Sequence, residues 1–245
     1  MDWTVSVDST VARVHQHGAT APGRIDRKPA AAAAAVGTAP AAVLVVEQLG
    51  SGTAGPTGEP QGEPSNYKVL PDPRYEPGDH GIGRSRGGLT TTCHALVDGH
   101  GLPLVLLIPP GQARDSKMLG PLLAALRVPR VGPGRARTRP DALLGDDAYS
   151  ARTHRGHLRE RGITTVIPEP ADELDDRVRR GRAGGRPVNV NKVLYKRRNV
   201  VERAFNKLKN WRGIATRYDK HAVNYRAGVV LGAVFPWLRH VGDTP

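Results

Sequence analysis

Three acidic residues occupy positions from which they could bind metal ions together. Asp8 follows the alternating run Trp3–Val7, Asp146 follows a short apolar run at 142–145, and Glu202 lies in a helix-forming segment. Carboxylate oxygens are preferred ligands of Mg²⁺. Two such ions, about 3.5–4 Å apart, can activate a nucleophile and stabilise the leaving oxygen of a phosphoryl transfer. The pattern therefore indicates metal-dependent phosphoryl transfer, although one Asp at a strand end is more often a turn or cap residue.

The helix predicted over residues 192–211 places Glu202 at the border of its apolar face. At about 100° per residue, four polar side chains fall within about 60° of arc: Tyr195, Arg198, Glu202 and Lys209. The adjacent stripe is apolar and must face the core: Leu194, Val201, Phe205 and Leu208. The alternative interpretation is a surface glutamate that pairs with its neighbours at i,i+4 spacing.

The elements that would position these acids follow the order of a mixed sheet flanked by helices. Residues 1–10 alternate as a half-buried strand with Asp8 on its polar face. Leu89–Val97 and Leu102–Ile108 predict a hairpin around a turn of Asp and Gly residues. Two further short strands and four helices follow, which together indicate an α/β fold: strands 142–145 and 164–167, and helices 115–127, 151–161, 192–211 and 222–240. Residues 169–191 are charged and predicted to be irregular.

Residues 18–80 differ in composition from the rest of the chain. They contain a six-alanine run, Ala30 to Ala35, and many Gly, Pro and small polar residues. Such a segment lacks the apolar residues of a core. We predict a long disordered or low-complexity insertion, with a short helix around Ala30–Leu49. The organisation is then a first strand in residues 1–17, the insertion in 18–80, and the remainder of one catalytic domain in 81–240.

The composition restricts the partners and the compartment. Lys and Arg number 36 against 23 Asp and Glu, a net charge of +13, which favours a polyanion such as nucleic acid over a merely solvated basic surface. The single cysteine, Cys93, excludes an internal disulfide and a cysteine-based zinc site, and it is predicted to be a buried thiol. An apolar segment of 18 or more residues and a secretion signal are both lacking, so we expect a cytoplasmic protein without a membrane partner.

Several stretches together resemble a known family of proteins. The sequence resembles bacterial insertion-sequence transposases of the IS5 group, in the wider IS4-like DDE superfamily. The spacing Tyr-x2-Arg-x3-Glu-x6-Lys is that superfamily's signature, here Tyr195, Arg198, Glu202 and Lys209. The matching stretches are VDSTVARVHQH (7–17), GRSRGGLTTTCHALVDGHGLPL (83–104), PGQARDS (110–116), LLGDDAYS (143–150) and YKRRNVVERAFNKLKNWRGIATRYDK (195–220).

The resemblance implies a fold, a set of ligands and a cofactor. The fold is RNase H-like, and the catalytic and metal-binding acids are Asp8, Asp146 and Glu202, with Asp147 as the second candidate for the middle acid. The metal is Mg²⁺, for which Mn²⁺ can substitute. The implied DNA contacts are Tyr195, Arg198 and Lys209, with Arg84, Arg86 and the loop Arg135 to Arg139 as further contacts or, equally, solvated surface residues.

The resemblance also implies an activity and partners. The activity is DNA strand cleavage and strand transfer at the terminal inverted repeats of an insertion sequence. The partners are the double-stranded DNA of the element ends and target, further copies of the chain on DNA, and the product of an upstream reading frame that supplies a helical N-terminal region, as expected of an N-terminally truncated, nucleoid-associated protein. The alternatives are a DNA-binding fragment without catalysis and a decayed remnant.

Overall fold

A single mixed sheet organises the part of the chain that the structure describes. The computed structural model describes residues 2–15, 80–130 and 132–242. The predicted insertion, apart from His80, and its short helix lie outside these residues. The strands are β1 (Thr4–Val14), β2 (Gly83–Ser85), β3 (Gly88–Val97), β4 (Pro103–Leu107), β5 (Ala142–Leu144), β6 (Thr164–Val166) and β7 (Thr216–Arg217).

The two long strands, β1 and β3, form the centre of the sheet. They pair antiparallel from Ser6 with Val97 to Arg13 with Thr90. Along its other edge, β1 pairs parallel with β5 and, near its end, with β7. β3 pairs antiparallel with β2 and β4, and β5 pairs parallel with β6. The predicted mixed α/β sheet is confirmed, and its arrangement is consistent with an RNase H-like fold.

Helices cover both faces of this sheet. The helices are α1 (Asp115–Ala125), α2 (Arg152–Glu160), α3 (Ala171–Arg180), α4 (Lys192–Lys196), α5 (Asn199–Lys209), α6 (Arg212–Ala215) and α7 (Ala222–Gly242). One apolar cluster joins Trp3, Val5 and Val7 of β1 to α1 and α2. A second cluster joins Ala12 and the β3 side chains to α5, α6 and α7.

The prediction that the first strand is half-buried is wrong. Its polar face is covered by α5, so Ser6 is only 1% exposed and Ala12 only 2%. The strand also runs on to Val14, because β3 pairs with it along its whole second half. Alternation of apolar and polar residues alone could not reveal a helix packed on the side that carries Asp8.

The predicted hairpin is confirmed, and Asp98 explains its turn. The side chain of Asp98 is fully buried, and its Oδ1 accepts hydrogen bonds from the backbone N–H groups of His100 and Leu102. Gly101 has φ +83°, a conformation that glycine adopts without steric cost. Cys93 is buried as predicted, and its burial raises the pKa of the thiol to about 12.

Two predictions about helices need correction. Residues 171–180 form α3 rather than an irregular segment, and a 3-10 turn follows at Gly181–Gly184. The predicted helix 192–211 is divided into α4 and α5 by a turn at Arg197 and Arg198. Asn191 begins α4, because its Oδ1 accepts hydrogen bonds from the N–H groups of Val193 and Leu194.

A buried arginine fixes the last strand of the sheet. Arg217 in β7 is fully buried, and its guanidinium donates to Thr91 Oγ1 at 2.5 Å and to the Gly81 carbonyl at 3.1 Å. It also donates to the carbonyls of His80, Asp219 and Lys220. Because every partner is neutral, burial lowers the pKa of Arg217 to about 10.

Candidate active site

The register of the two parallel strands brings Asp8 and Asp146 to the same level. Ser6 of β1 pairs with Leu144 of β5. Asp8 and Asp146 each lie two residues further along, and side chains two residues apart share a face of a sheet. The backbone of Asp146 is still extended, with φ −80° and ψ −178°. Burial raises the pKa of Asp146, and the negative charge of Asp8 raises it further, as expected of two neighbouring carboxylates.

Glu202 approaches from the helix that covers this face. Val201, Phe205 and Leu208 of α5 are buried in the same apolar cluster as Ala12 of β1. This packing fixes α5 against the sheet. The carboxylate of Glu202, next to the buried Val201, emerges at the border of the apolar stripe with its side chain 47% exposed.

Arg198 joins two of the three acids. Its Nη1 donates to Asp8 Oδ2 at 2.8 Å, and its Nη2 donates to Glu202 Oε1 at 2.6 Å. The arginine side chain is only 18% exposed, so solvent screens these charge-assisted bonds less than on an open surface. Arg198 lies in the turn between α4 and α5, one helical turn before Glu202. The structure therefore brings Asp8, Arg198 and Glu202 into one ion-paired group beside Asp146.

Asp146 is held by the turn that follows it. Its Oδ1 accepts a hydrogen bond of 3.1 Å from the backbone N–H of Ala148, which caps a 3-10 turn at Asp147–Tyr149. Asp146 is half-buried, whereas Asp147 is exposed. This placement favours Asp146 over Asp147 as the acid that acts with Asp8.

Burial is the main cause of the pKa shifts of both aspartates. Burial, with a further contribution from the charge of Asp8, raises the pKa of Asp146 from 3.8 to about 6, although Arg198 opposes the shift. Burial also raises the pKa of Asp8, and the Ser9 N–H and Arg198 partly offset that effect. Negative charge is therefore concentrated here beyond what one guanidinium neutralises.

The donor set fits a hard divalent cation. Three carboxylates supply oxygen ligands of the kind that Mg²⁺ prefers, and Arg198 stands in as the positive charge between Asp8 and Glu202. Within residues 2–15, 80–130 and 132–242, however, no three His, Cys, Asp or Glu side chains lie close enough together to share a metal ion. The three carboxylates are therefore suitable ligands for Mg²⁺ by their chemistry. In the structure, however, Asp8 and Glu202 are both ion-paired with Arg198.

Two other residues of the signature lie along the same helices. The Arg198 guanidinium lies 5.9 Å from the centre of the Tyr195 ring. Lys209 Nζ donates to the Val11 carbonyl at 3.1 Å. The predicted stripe of α4 and α5 thus follows β1 from Asp8 to Val11.

The remaining basic candidates lie away from the three acids. Arg84 pairs with Leu89, whereas Asp8 pairs with Ala95, six residues further along β3 and about 20 Å away. Arg86 is exposed in the turn after β2. In the loop 135–139, Arg137 lies over the ring of Trp3 with its guanidinium 4.5 Å from the ring centre.

Sequence reasoning missed a buried polar group beneath Asp146. The His94 Nδ1 and the Tyr149 hydroxyl lie 3.3 Å apart, and both residues are fully buried. The His94 Nε2 lies 3.7 Å from Asp115 Oδ1, beyond hydrogen-bond distance. Because Tyr149 ends the turn that Asp146 caps, its ring anchors that turn in the core. A polar His inside the apolar run 93–97 was the one available signal.

The sequence is similar to those of known transposases. The chain matches the family described as Transposase DDE domain over residues 1–231. A Brucella ovis protein whose name assigns it as a transposase for insertion sequence element IS6501 is 31% identical over 151 residues, which are 62% of this chain and 100% of that protein. A Burkholderia cepacia protein named for insertion sequence element IS402 is 30% identical over 159 residues, 65% of this chain and 67% of that protein.

The family assignment rests on the sequence match rather than on a solved structure. No solved structure matches the chain significantly. Within the described residues, no helix is long and apolar enough to cross a membrane. The family match covers most of the chain, including Asp8, Asp146 and Glu202, and the chain belongs to the family of transposases with a DDE domain.

Proposed function

We propose that this chain is the catalytic part of an insertion-sequence transposase of the IS5 group. It cleaves and joins DNA strands at the terminal inverted repeats of its element. The catalytic domain is formed by residues 1–17 and 81–240, which the segment 18–80 interrupts. Its partners are double-stranded DNA, further copies of the chain and the product of an upstream reading frame.

One observation carries this proposal. Asp8 and Asp146 reach the same level of the sheet through the parallel pairing of β1 and β5, and Arg198 ties Glu202 to Asp8. Acids from three distant parts of the sequence are therefore gathered on one face of the sheet. A surface glutamate in a simple i,i+4 pair would not explain the second bond of Arg198, to Asp8.

The chemistry follows from the side chains of this site. Asp8, Asp146 and Glu202 would hold Mg²⁺, or Mn²⁺ in its place. Held by these acids, the ions would supply positive charge that favours attack by an oxygen on the DNA phosphate and departure of the leaving oxygen. Asp146 must be ionised to act as a ligand, so its raised pKa limits the site at low pH.

The basic side chains around the acids would position the DNA. Arg198, once released from an acid, presents a planar pair of donors that suits a phosphate. Tyr195 and Lys209 extend the same stripe on either side. Arg84, Arg86 and the loop 135–139 lie further away and would contact the DNA backbone outside the reacting phosphate.

Neutral substitutions of the acids test the proposal. Asp8→Asn, Asp146→Asn and Glu202→Gln should each abolish Mg²⁺-dependent cleavage of element-end DNA in a gel assay, because each removes a charged ligand. DNA binding, measured by fluorescence anisotropy, should stay within about twofold, since most binding energy comes from phosphate contacts.

The exposed neighbour Asp147 supplies a matched control. Asp147→Asn removes the same charge one residue away and should cleave like the parent chain. If Asp146→Asn cleaved normally, or if only Asp147→Asn lost cleavage, Asp147 rather than Asp146 would be the second acid of the site. Normal cleavage by either of the other variants would remove that residue from the site.

A second candidate function is DNA binding without catalysis. The net charge of +13 favours it, because contacts between basic side chains and phosphates can hold DNA without any catalysis. It predicts salt-sensitive DNA binding with no Mg²⁺-dependent product. A decayed remnant would instead show no cooperative melting transition by circular dichroism.

A further inference from the structure

A basic and aromatic cavity lies on the side of α5 that faces away from the acids. The cavity has a volume of about 590 Å³ and is formed by the turn after β3, the end of α5 and the second half of α7. Lys207, which lines it, is five residues after Glu202, a rotation of about 140° around the helix. The cavity is therefore separate from the candidate active site.

Two aromatic side chains form one wall of the cavity and are unusually exposed. Trp211 is 48% exposed and Phe235 is 44% exposed, with their ring centres 5.0 Å apart. The chain contains only three tryptophans and two phenylalanines. Because Trp211 and Phe235 are exposed side by side, they form an apolar surface that a ligand could cover.

The framework around this wall is closely packed. A Cβ at Gly232 of α7 would lie 2.6 Å from Ile214 Cδ1, so a larger residue there would require the end of the Ile214 side chain to move. Trp237 Nε1 donates to the Pro103 carbonyl at 2.8 Å and fixes the same helix to β4. The exposure of the aromatic pair therefore belongs to a fixed arrangement of α7.

The polar rim of the cavity carries positive charge. Lys207 and Arg239 line it, together with His100 and His240, whose ring centres lie 5.4 Å apart. Among the described residues that line the cavity, none is acidic. Cations beside exposed aromatic rings are the combination that single-stranded nucleic acid uses, through its phosphates and its bases.

We propose that this cavity binds one unpaired nucleotide of a DNA strand. The base stacks on Trp211 and Phe235, and the adjoining phosphates lie near Lys207 and Arg239. The volume is in the range of about 300–1,000 Å³ that small-ligand sites occupy. The inference rests on the proposed function only in taking DNA as the partner. It adds a site that reads strand separation rather than duplex sequence.

Anisotropy with two matched DNA probes tests this site in the full chain. One probe is a blunt duplex, and the other is the same duplex with a short thymidine overhang. Trp211→Ala should weaken binding of the overhang probe about tenfold, because stacking contributes about 1–3 kcal/mol per base. Binding of the blunt probe should not change. Arg127→Gln, which alters an exposed arginine at the end of α1, should affect neither probe.

Tryptophan fluorescence supplies a readout that a folding defect cannot imitate. Trp3 is buried and Trp237 does not line the cavity, so quenching by the overhang probe should come from Trp211. Trp211→Phe keeps an aromatic surface and should retain affinity while losing that quenching. The double variant Lys207→Gln/Arg239→Gln should bind the overhang probe more weakly, and its binding should depend less on the salt concentration.

Three outcomes would overturn the proposal. They are equal loss of binding to both probes in Trp211→Ala, quenching that persists in Trp211→Phe, and unchanged binding of the overhang probe in Trp211→Ala. Unchanged binding together with an altered oligomeric state, measured by light scattering, would assign the surface to a second copy of the chain. Cleavage by the parent chain is measured separately, so failure of the proposed function would be recognised independently.

Discussion

Asp146→Asn should stabilise the protein at pH 8. Asp146 has a pKa of about 6 instead of 3.8, so its ionised form is disfavoured in the folded state. Above pH 6 the folded chain carries the full cost of that charge. As the pH falls from about 6 towards 4, the folded state takes up a proton that the unfolded state does not, and the cost is relieved. Asparagine removes the charge but keeps an oxygen that can accept from Ala148 N–H.

The size of the effect follows from the shift. About two pKa units correspond to at most about 3 kcal/mol, at 1.36 kcal/mol per unit. The carboxyl group is only partly buried, so solvent screening leaves about 1 kcal/mol. In a protein of this size that amount raises Tm by about 2–4 °C.

Thermal unfolding of the variant and the parent chain at pH 8 and pH 4 measures this difference. The variant should melt higher at pH 8, and the gap should narrow at pH 4. Asp147→Asn, the exposed control, should leave Tm within about 1 °C of the parent, as surface changes usually do. Added Mg²⁺ should raise Tm of the parent by mass action and that of Asp146→Asn less. A variant that melts no higher than the parent at pH 8, or an equal gain in Asp147→Asn, would refute the reasoning.

Three further substitutions probe the supports of the site. Arg198→Gln frees two acids from their counter-ion and should tighten Mn²⁺ binding about fivefold by calorimetry, a gain of about 1 kcal/mol; weaker binding would contradict the fit of these acids to a cation. Tyr149→Phe leaves the buried His94 Nδ1 unpaired and should cost about 1–3 kcal/mol in urea unfolding, whereas no loss would show that the contact is weak. Arg217→Met leaves buried carbonyl groups without a hydrogen-bond donor and should lower the free energy of unfolding by at least about 3 kcal/mol. Arg127→Met, at an exposed position, is its control.

The sheet was predictable because its strands follow local patterns, and the proposal of the three acids rests on patterns of the same kind. Strand ends and the apolar stripe of a helix can be read within a window of ten to twenty residues. Asp146 and Glu202 stand at such a boundary, whereas Asp8 lies within β1, which continues to Val14. The structure adds the long-range part, since the pairing of β1 with β5 decides that the two aspartates are neighbours.

The features that were missed depend on contacts that a local pattern does not specify. Leu174 and Val178 of α3 are 43% and 80% exposed, so that helix buries no stripe that periodicity could detect. Charge pairs hold it, between Arg177 and Glu169 and between Arg179 and Asp176. The contact of His94 with Tyr149 joins residues 55 positions apart and depends on the folded sheet.

The distribution of charge among the acids indicates where a cation would gain most. Arg198 bonds to Asp8 and Glu202, whereas Asp146 accepts a hydrogen bond from the N–H of Ala148. Glu202 is also the most open to water of the ion-paired group, which screens its charge. Asp146 is therefore the least compensated of the three acids, because burial, and then the charge of Asp8, raises its pKa to about 6. Neutralising Asp146 should for this reason stabilise the metal-free chain more than neutralising Glu202, although both changes should abolish cleavage.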